Sequence, residues 1–204
     1  MAVTKSNDSP TKNFAVLTPL HKPGNITLSD GNRIISTSSN GWYGITGSVC
    51  IKKGEKRYFE GKCITNVRIY FGLSRITNQD IIGSSTVERS SNYDYMWRTT
   101  SDNEIYYQGS NVSASYTAVS ANDRVSITTD TDGEVKMYLN GSLVHTYSQK
   151  MVDNVDYYPI YSVNGATSTE QFEARFGTDD VQHQVSGFGL LTAADMLSLD
   201  GAPA

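Results

Sequence analysis

Between Asp123 and Gly141 the chain reads Asp-Arg-Val-Ser-Ile-Thr-Thr-Asp-Thr-Asp-Gly-Glu-Val-Lys-Met-Tyr-Leu-Asn-Gly, two alternating runs that meet at one turn signal and end at another. Successive side chains of a strand point to opposite faces, so Val125, Ile127, Val135, Met137 and Leu139 would line one buried face. Ser126, Thr128, Glu134, Lys136 and Tyr138 would point the other way. Asp132-Gly133 and Asn140-Gly141 supply residues that tolerate positive φ, which two-residue hairpin loops require.

The same pattern recurs along the chain. Strands are expected at 26–28, 33–36, 42–51, 57–63, 67–74, 95–99, 104–108, 124–129, 134–139, 143–147, 158–163 and 171–176, with further turn signals at Asp30-Gly31, Lys53-Gly54 and Asn164-Gly165. Many short strands punctuated in this way mean an all-β sandwich or barrel. The 204 residues suffice for one such domain with a sizeable core. Residues 192–199 are the helix candidate, capped by Thr192, with Asp195 at the third helical position and Gly201 as the stop. The expected organisation is a polar leader over 1–13, a sandwich over 14–186, and a tail carrying the short helix over 187–204.

A strand opening on Asp123-Arg124-Val125, an Asp-x-x-Gly turn and a strand closing on Tyr138-Leu139-Asn140-Gly141 resemble the late core of SPRY domains, which are antiparallel β-sandwiches of concanavalin-like, jelly-roll architecture. Upstream, Tyr58-Phe59-Glu60 and the run Ile69-Tyr70-Phe71-Gly72-Leu73-Ser74 are similar to the family's Gly-x-Trp-Tyr-Phe-Glu and Val-Gly-Leu-Ser strands. Downstream, Tyr158-Pro159-Ile160 is similar to its Tyr-Pro element, and residues 172–177 to its closing Phe-x-x-Asn-Phe-Gly strand. The segments follow the family's order, with Arg57 where Trp is usual and Arg175 where Asn is usual. Those departures bear on the family's peptide pocket rather than on the sandwich.

A narrower likeness runs through the ends. Residues 7–20, followed by Ile26-Thr27-Leu28-Ser29-Asp30-Gly31-Asn32, resemble the opening of SPRY-like modules in bacteriophage virion proteins, and residues 187–193 resemble the short tail after their last strand. The resemblance implies a non-enzymatic virion structural protein: a decoration, fibre or tail module, multimeric in the assembly. Its partners would be capsid or tail proteins and host-surface polysaccharide. Two alternatives stand beside it: a free-standing, lectin-like carbohydrate-binding module, and an adaptor that grips a peptide through loops at one end of the sandwich, as cellular SPRY domains do.

The formal net charge is -4 with Lys and Arg scattered, so the sequence offers no basic stripe for a nucleic-acid backbone or an anionic membrane. No apolar run approaches bilayer-spanning length, and the first eight residues hold no hydrophobic secretion segment. Synthesis in a host cytoplasm, ahead of placement in the virion, is the expectation. If residues 51–58 form a hairpin centred on Lys53-Gly54, Cys50 falls opposite Arg57 and Cys63 opposite Gly44, which predicts two free thiols. Two cysteines without further ligands nearby also make a poor zinc site.

Catalytic patterns are missing from the sequence. Glycoside hydrolysis needs two carboxylates a few ångströms apart, yet there is no Glu-x-Asp-x-x-Glu, and Glu170 and Glu173 are three apart and so on opposite faces of a strand. His21, His145 and His183 are widely separated, with no Gly-x-Ser-x-Gly and no His-Glu-x-x-His. Asp130-Thr131-Asp132-Gly133 lacks the spacing of the helical calcium loop and reads as a turn. No enzyme activity, cofactor or metal is expected.

Aromatic residues carry the remaining hint, for 13 Tyr and 2 Trp gather partly in Tyr93, Tyr95, Trp97 and Arg98 and in Tyr106 and Tyr107. Flat rings beside hydrogen-bonding groups suit sugars or a protein partner. Alternation of the same residues equally fits cross-strand packing in a core. The termini are expected to act as assembly elements, because ordering a polar backbone costs about 1–2 kcal/mol per residue that only packing offsets. Their anchors would be Phe14, Val16 and Leu17 at one end and Phe188, Leu190, Leu191 and Leu197 at the other.

Overall fold

The structure is a computed structural model and describes residues 15–19, 22–65, 68–75, 93–99, 104–113, 118–165, 169–177 and 181–191. Its strands are β1 (Thr27–Ser29), β2 (Ile34–Thr37), β3 (Trp42–Thr46), β4 (Arg57–Cys63), β5 (Ile69–Ser74), β6 (Tyr95–Thr99), β7 (Glu104–Tyr107), β8 (Ser110–Ser113), β9 (Arg124–Thr129), β10 (Val135–Leu139), β11 (Ser142–Thr146), β12 (Tyr158–Asn164), β13 (Glu170–Arg175) and β14 (Gly189–Leu190). They form two sheets. The larger runs β1-β2-β13-β4-β9-β10-β11 with β14 added on β4, and the smaller runs β3-β12-β5-β6-β7-β8. Every pairing is antiparallel except β14 with β4, so the chain is an all-β, antiparallel sandwich. The helix expected over 192–199 lies outside the described residues, as does Phe14.

The 123–141 segment takes the register its alternation requires. Met137 faces Ile127 and Leu139 faces Val125 across β9 and β10, and all four side chains are buried with Val135. Asn140 and Gly141 both have positive φ and close β10 onto β11 as a two-residue loop. The turn at Asp132-Gly133 departs from the two-residue expectation. Residues 130–134 all lie between the paired Thr129 and Val135, because Asp130 Oδ1 accepts the amides of Asp132 and Glu134, both at 2.9 Å, and caps a longer turn.

Residues 51–57 also depart from the hairpin expected there. Ile51 bridges to Tyr157 beside the smaller sheet while Arg57 opens β4 in the larger one, so this segment carries the chain between layers. Cys63 consequently stands opposite Phe172 rather than Gly44, and both cysteines are free thiols, Cys63 buried and Cys50 half-buried. Burial raises the pKa of both.

Between the layers the aromatic side chains interlock. Phe71 lies 5.3 Å from Phe59, 5.4 Å from Tyr161 and 5.8 Å from Phe172, ring centre to ring centre. Such tilted and edge-on pairs add stabilisation beyond area burial. Close approach of β5 to β6 depends on Gly72, where a Cβ would collide with the carbonyl oxygen of Tyr95. Backbone cannot yield as a flexible side chain can, so Gly72→Ala is expected to cost about 1–3 kcal/mol, read as a lowered midpoint in chemical denaturation.

Open sheet edges invite pairing with other chains, and the edges here are shortened, flanked or bulged. β1 is only three residues long. β3 is flanked by residues 16–18, whose Val16 carbonyl accepts the Ser48 amide and whose Thr18 amide donates to Thr46. β8 and β11 each carry one extra residue opposite the neighbouring strand, Val112 and Val144, so both edges are bulged.

Candidate functional site

Alternation along β6 and β7 divides Tyr95, Trp97, Arg98, Tyr106 and Tyr107 between the two faces of the smaller sheet, whereas Tyr93 lies ahead of β6 and does not follow it. Tyr95 and Trp97 point inward and are fully buried, with Tyr107 partly buried beside them. Tyr93 and Tyr106 join Trp42, Tyr70, Met96 and Ile160 in a second apolar cluster. There Trp42 and Tyr70 stack edge-on at 4.3 Å, and the Arg98 guanidinium lies 5.7 Å from the centre of the Tyr106 ring. Glu104 joins the group by accepting from Arg98, from the Tyr106 hydroxyl and from Asn111 Nδ2. The six residues therefore form no single platform. Of the four tyrosines among them, only Tyr107 is not buried.

A polar cluster that the sequence does not signal sits where β5 ends and β6 begins. Asp94, 1% exposed, accepts from Arg75 Nε at 3.1 Å, Arg75 Nη2 at 2.8 Å and Gln108 Nε2 at 3.1 Å, and from the Arg75 backbone amide at 3.1 Å. Gln108 and Gly109, both at positive φ, make the tight turn from β7 to β8 that brings the amide side chain there. Next to it, Tyr95 packs against Tyr107, Tyr147 and Tyr157 at 5.3, 4.9 and 6.0 Å. Burial raises the pKa of Tyr95, Tyr107 and Tyr157, and the Asp94 charge adds to it, so all three phenols stay neutral; the Tyr157 hydroxyl accepts the Val152 amide at 3.0 Å. The Arg75 fork is thus held in a fixed orientation with part of its surface in water, beside the half-exposed Tyr107. Among the described residues here, the polar groups are an ion pair, an amide and phenols, with no nucleophile set against a base.

Both ends of the described chain dock on the sandwich itself. Leu17 is fully buried, bridges to Gly47, and donates its amide to the Asn32 carbonyl at 3.0 Å. Leu191 is fully buried as well, Leu190 nearly so, and Phe188 half-buried. The Ala15 amide donates to the Leu191 carbonyl at 3.2 Å, which sets the two ends side by side. Gly189 and Leu190, placed in the tail by sequence, belong to the larger sheet as β14. Residues 181–191 form a strap that reaches them, and the Gln182 and His183 amides donate to the buried Glu60 carboxylate on the way.

The carboxylates weighed from sequence serve the structure. Glu170 accepts from the Thr65 hydroxyl at 2.8 Å, and Glu173 pairs with Arg175 at 2.7 Å. His145 rests edge-on against Tyr147 at 4.7 Å, and burial lowers its pKa. Among the described residues no group of three or more His, Cys, Asp or Glu is placed to hold a metal, and no helix is long and apolar enough to cross a membrane.

No family model matches the chain, and no curated protein matches it. Solved structures do. The SPRY domain of human HERC1 aligns over 82% of this chain and 99% of its own, with a TM-score of 0.62 at 16% identity. The TRIM65 PSpry domain aligns over 80% of this chain and 92% of its own, with a TM-score of 0.60 at 11% identity. Stonustoxin aligns over 79% of this chain and 27% of its own, with a TM-score of 0.57 at 13% identity. At such identities the likeness establishes a SPRY-like fold.

Proposed function

We propose that this chain is a non-enzymatic, SPRY-like binding module that serves as a structural component of a bacteriophage virion, a decoration, fibre or tail piece joined to neighbouring virion proteins through its ends. The observation that carries this reading is the hydrogen bond between Ala15 and Leu191. It sets Ala15 and Leu191, the two ends of the described chain, side by side on the sandwich. The leader and tail motifs, which resemble those of phage virion modules, support the setting. Protected edges support attachment by arms rather than by strand pairing, since β8 and β11 are bulged and β3 is flanked. Host-surface polysaccharide is a second partner in this reading, taken at the Arg75, Tyr107 and Gln108 surface, where a fixed guanidinium lies beside a half-exposed ring.

Deletion of residues 1–12 tests the assembly role. The truncated chain is expected to keep its denaturation midpoint, because the docked Leu17 remains, and to lose incorporation when produced with the other proteins of the particle. Incorporation at the full level would end the arm hypothesis.

A further inference from the structure

Where β5 ends and β6 begins, hydrogen-bond donors gather around one carboxylate that is already filled. Asp94 accepts the Arg75 amide, Arg75 Nε and Nη2, and Gln108 Nε2. A guanidinium is a planar fork of N–H groups, with an end-on edge at Nη1 and Nη2 beside the side-on edge at Nε and Nη2. Asp94 takes the side-on edge. The end-on edge has no partner among the described residues, and the Arg75 side chain is 38% exposed. Two phenols stand beside it. The Tyr95 hydroxyl is buried without an acceptor, although Tyr157, Tyr107, Asp94 and Arg75 all lie near enough to bear on its ionisation. The Tyr107 hydroxyl, on a half-buried ring 5.3 Å from that of Tyr95, also has no acceptor among the described residues. Buried donors are costly to leave unanswered, so this cluster is short of an acceptor.

We propose that this surface binds the carboxylate of an acidic sugar, with both oxygens on the end-on edge of Arg75, the Tyr107 hydroxyl as an added donor and the sugar ring against the Tyr107 ring. The inference rests on the saccharide reading given above and narrows it to one chemical class. A planar carboxylate meets the open edge of the fork at two points, whereas a sugar hydroxyl meets it at one. Asp94 fixes the fork before any ligand arrives, so little side-chain freedom remains to be lost on binding. The Tyr107 ring offers an apolar face to the C–H side of a pyranose. An acidic peptide suits the surface less well. Each of its peptide units brings an N–H that needs an acceptor, and the carboxylate here is occupied. The formal charge of -4 opposes diffuse attraction of a polyanion, so recognition falls to this local geometry.

Trigalacturonate and its fully methyl-esterified form are the probes. Each is titrated at low salt into the isotope-labelled full chain, and binding is followed by NMR at the Gln108 side-chain amide and the Gln108 and Gly109 backbone amides. Trigalacturonate is expected to shift these signals, and the ester, which lacks the charge, to bind about tenfold more weakly. Arg75→Lys keeps the positive charge without the fork and should weaken the acid about tenfold, down to the level of the ester. That variant also disturbs Asp94, so Tyr107→Phe supplies a second measurement: it leaves the Arg75–Asp94 pair and the ring in place, and should weaken the acid severalfold at an unchanged denaturation midpoint. Affinity for trigalacturonate that is unchanged in either variant overturns the proposal. Equal shifts from acid and ester overturn the carboxylate inference and leave the saccharide reading standing, whereas no shift from either probe removes this surface from both. Tighter binding of a blocked aspartyl tripeptide than of trigalacturonate overturns the choice of sugar over peptide.

Discussion

Replacing Trp97 with alanine is expected to lower the free energy of unfolding by about 3–5 kcal/mol, as removal of a large aromatic side chain from a core does. Trp97 lies mid-strand in β6, between Phe71 on β5 and Ile105 on β7, with no exposed surface. Nothing can refill the space without moving two flanking strands. Trp97→Phe should cost clearly less. Its ring replaces much of the lost volume, and the indole Nε1, which is buried without a partner, takes no hydrogen bond with it. Urea denaturation of the two variants separates the outcomes. A ligand-stacking Trp97 would instead give an alanine variant of unchanged midpoint with weakened binding, and that result would return the residue to the glycan reading.

The Trp97 case also shows what the sequence could convey. Alternation through Tyr93, Tyr95 and Trp97 marks a strand with all three on one face, because side-chain direction follows from the backbone alone; Tyr95 and Trp97 do share a face, but Tyr93 lies ahead of β6 and joins the opposite cluster. Which face meets the core is a different matter when both carry large apolar groups, as β6 does with Tyr95 and Trp97 inward and Met96 opposite. The 123–141 hairpin is legible because its two faces differ in polarity and one register buries all five apolar residues. Its first turn is longer than a two-residue loop for a local reason: Asp130 binds the amides of Asp132 and Glu134 and competes with the shorter loop. β8, Ser110–Ser113, has no alternation to read; its pairing comes from the tight turn at Gln108-Gly109 and the edge of β7. Arg75 and Asp94 are 19 residues apart and meet only because β5 and β6 are neighbours. The burial of Glu60 is likewise not legible locally, since the strap whose amides it accepts arrives from more than a hundred residues downstream.

Glu60 is the subject of the second large effect. Its carboxylate is fully buried and accepts from the Tyr58 hydroxyl at 2.8 Å, from Arg124 Nη1 and from the two strap amides. A buried pair is costly to desolvate, but removing one partner is costlier, because the remaining Arg124 charge, 13% exposed, loses its ion-pair partner. Glu60→Ala is therefore expected to lose about 3–5 kcal/mol. The loss should also be local in a way a simple cavity would not be: hydrogen exchange at the Gln182 and His183 amides should rise well before global unfolding, as the strap loses its acceptor. Removing both charges, with Glu60→Met and Arg124→Leu together, should restore much of the stability, since well-packed apolar replacements of buried ion pairs are often neutral or better. It should leave the strap amides unprotected all the same, because no carboxylate remains to receive them. Recovered stability with restored protection at those amides would show that backbone pairing with β4, and not Glu60, holds the strap down.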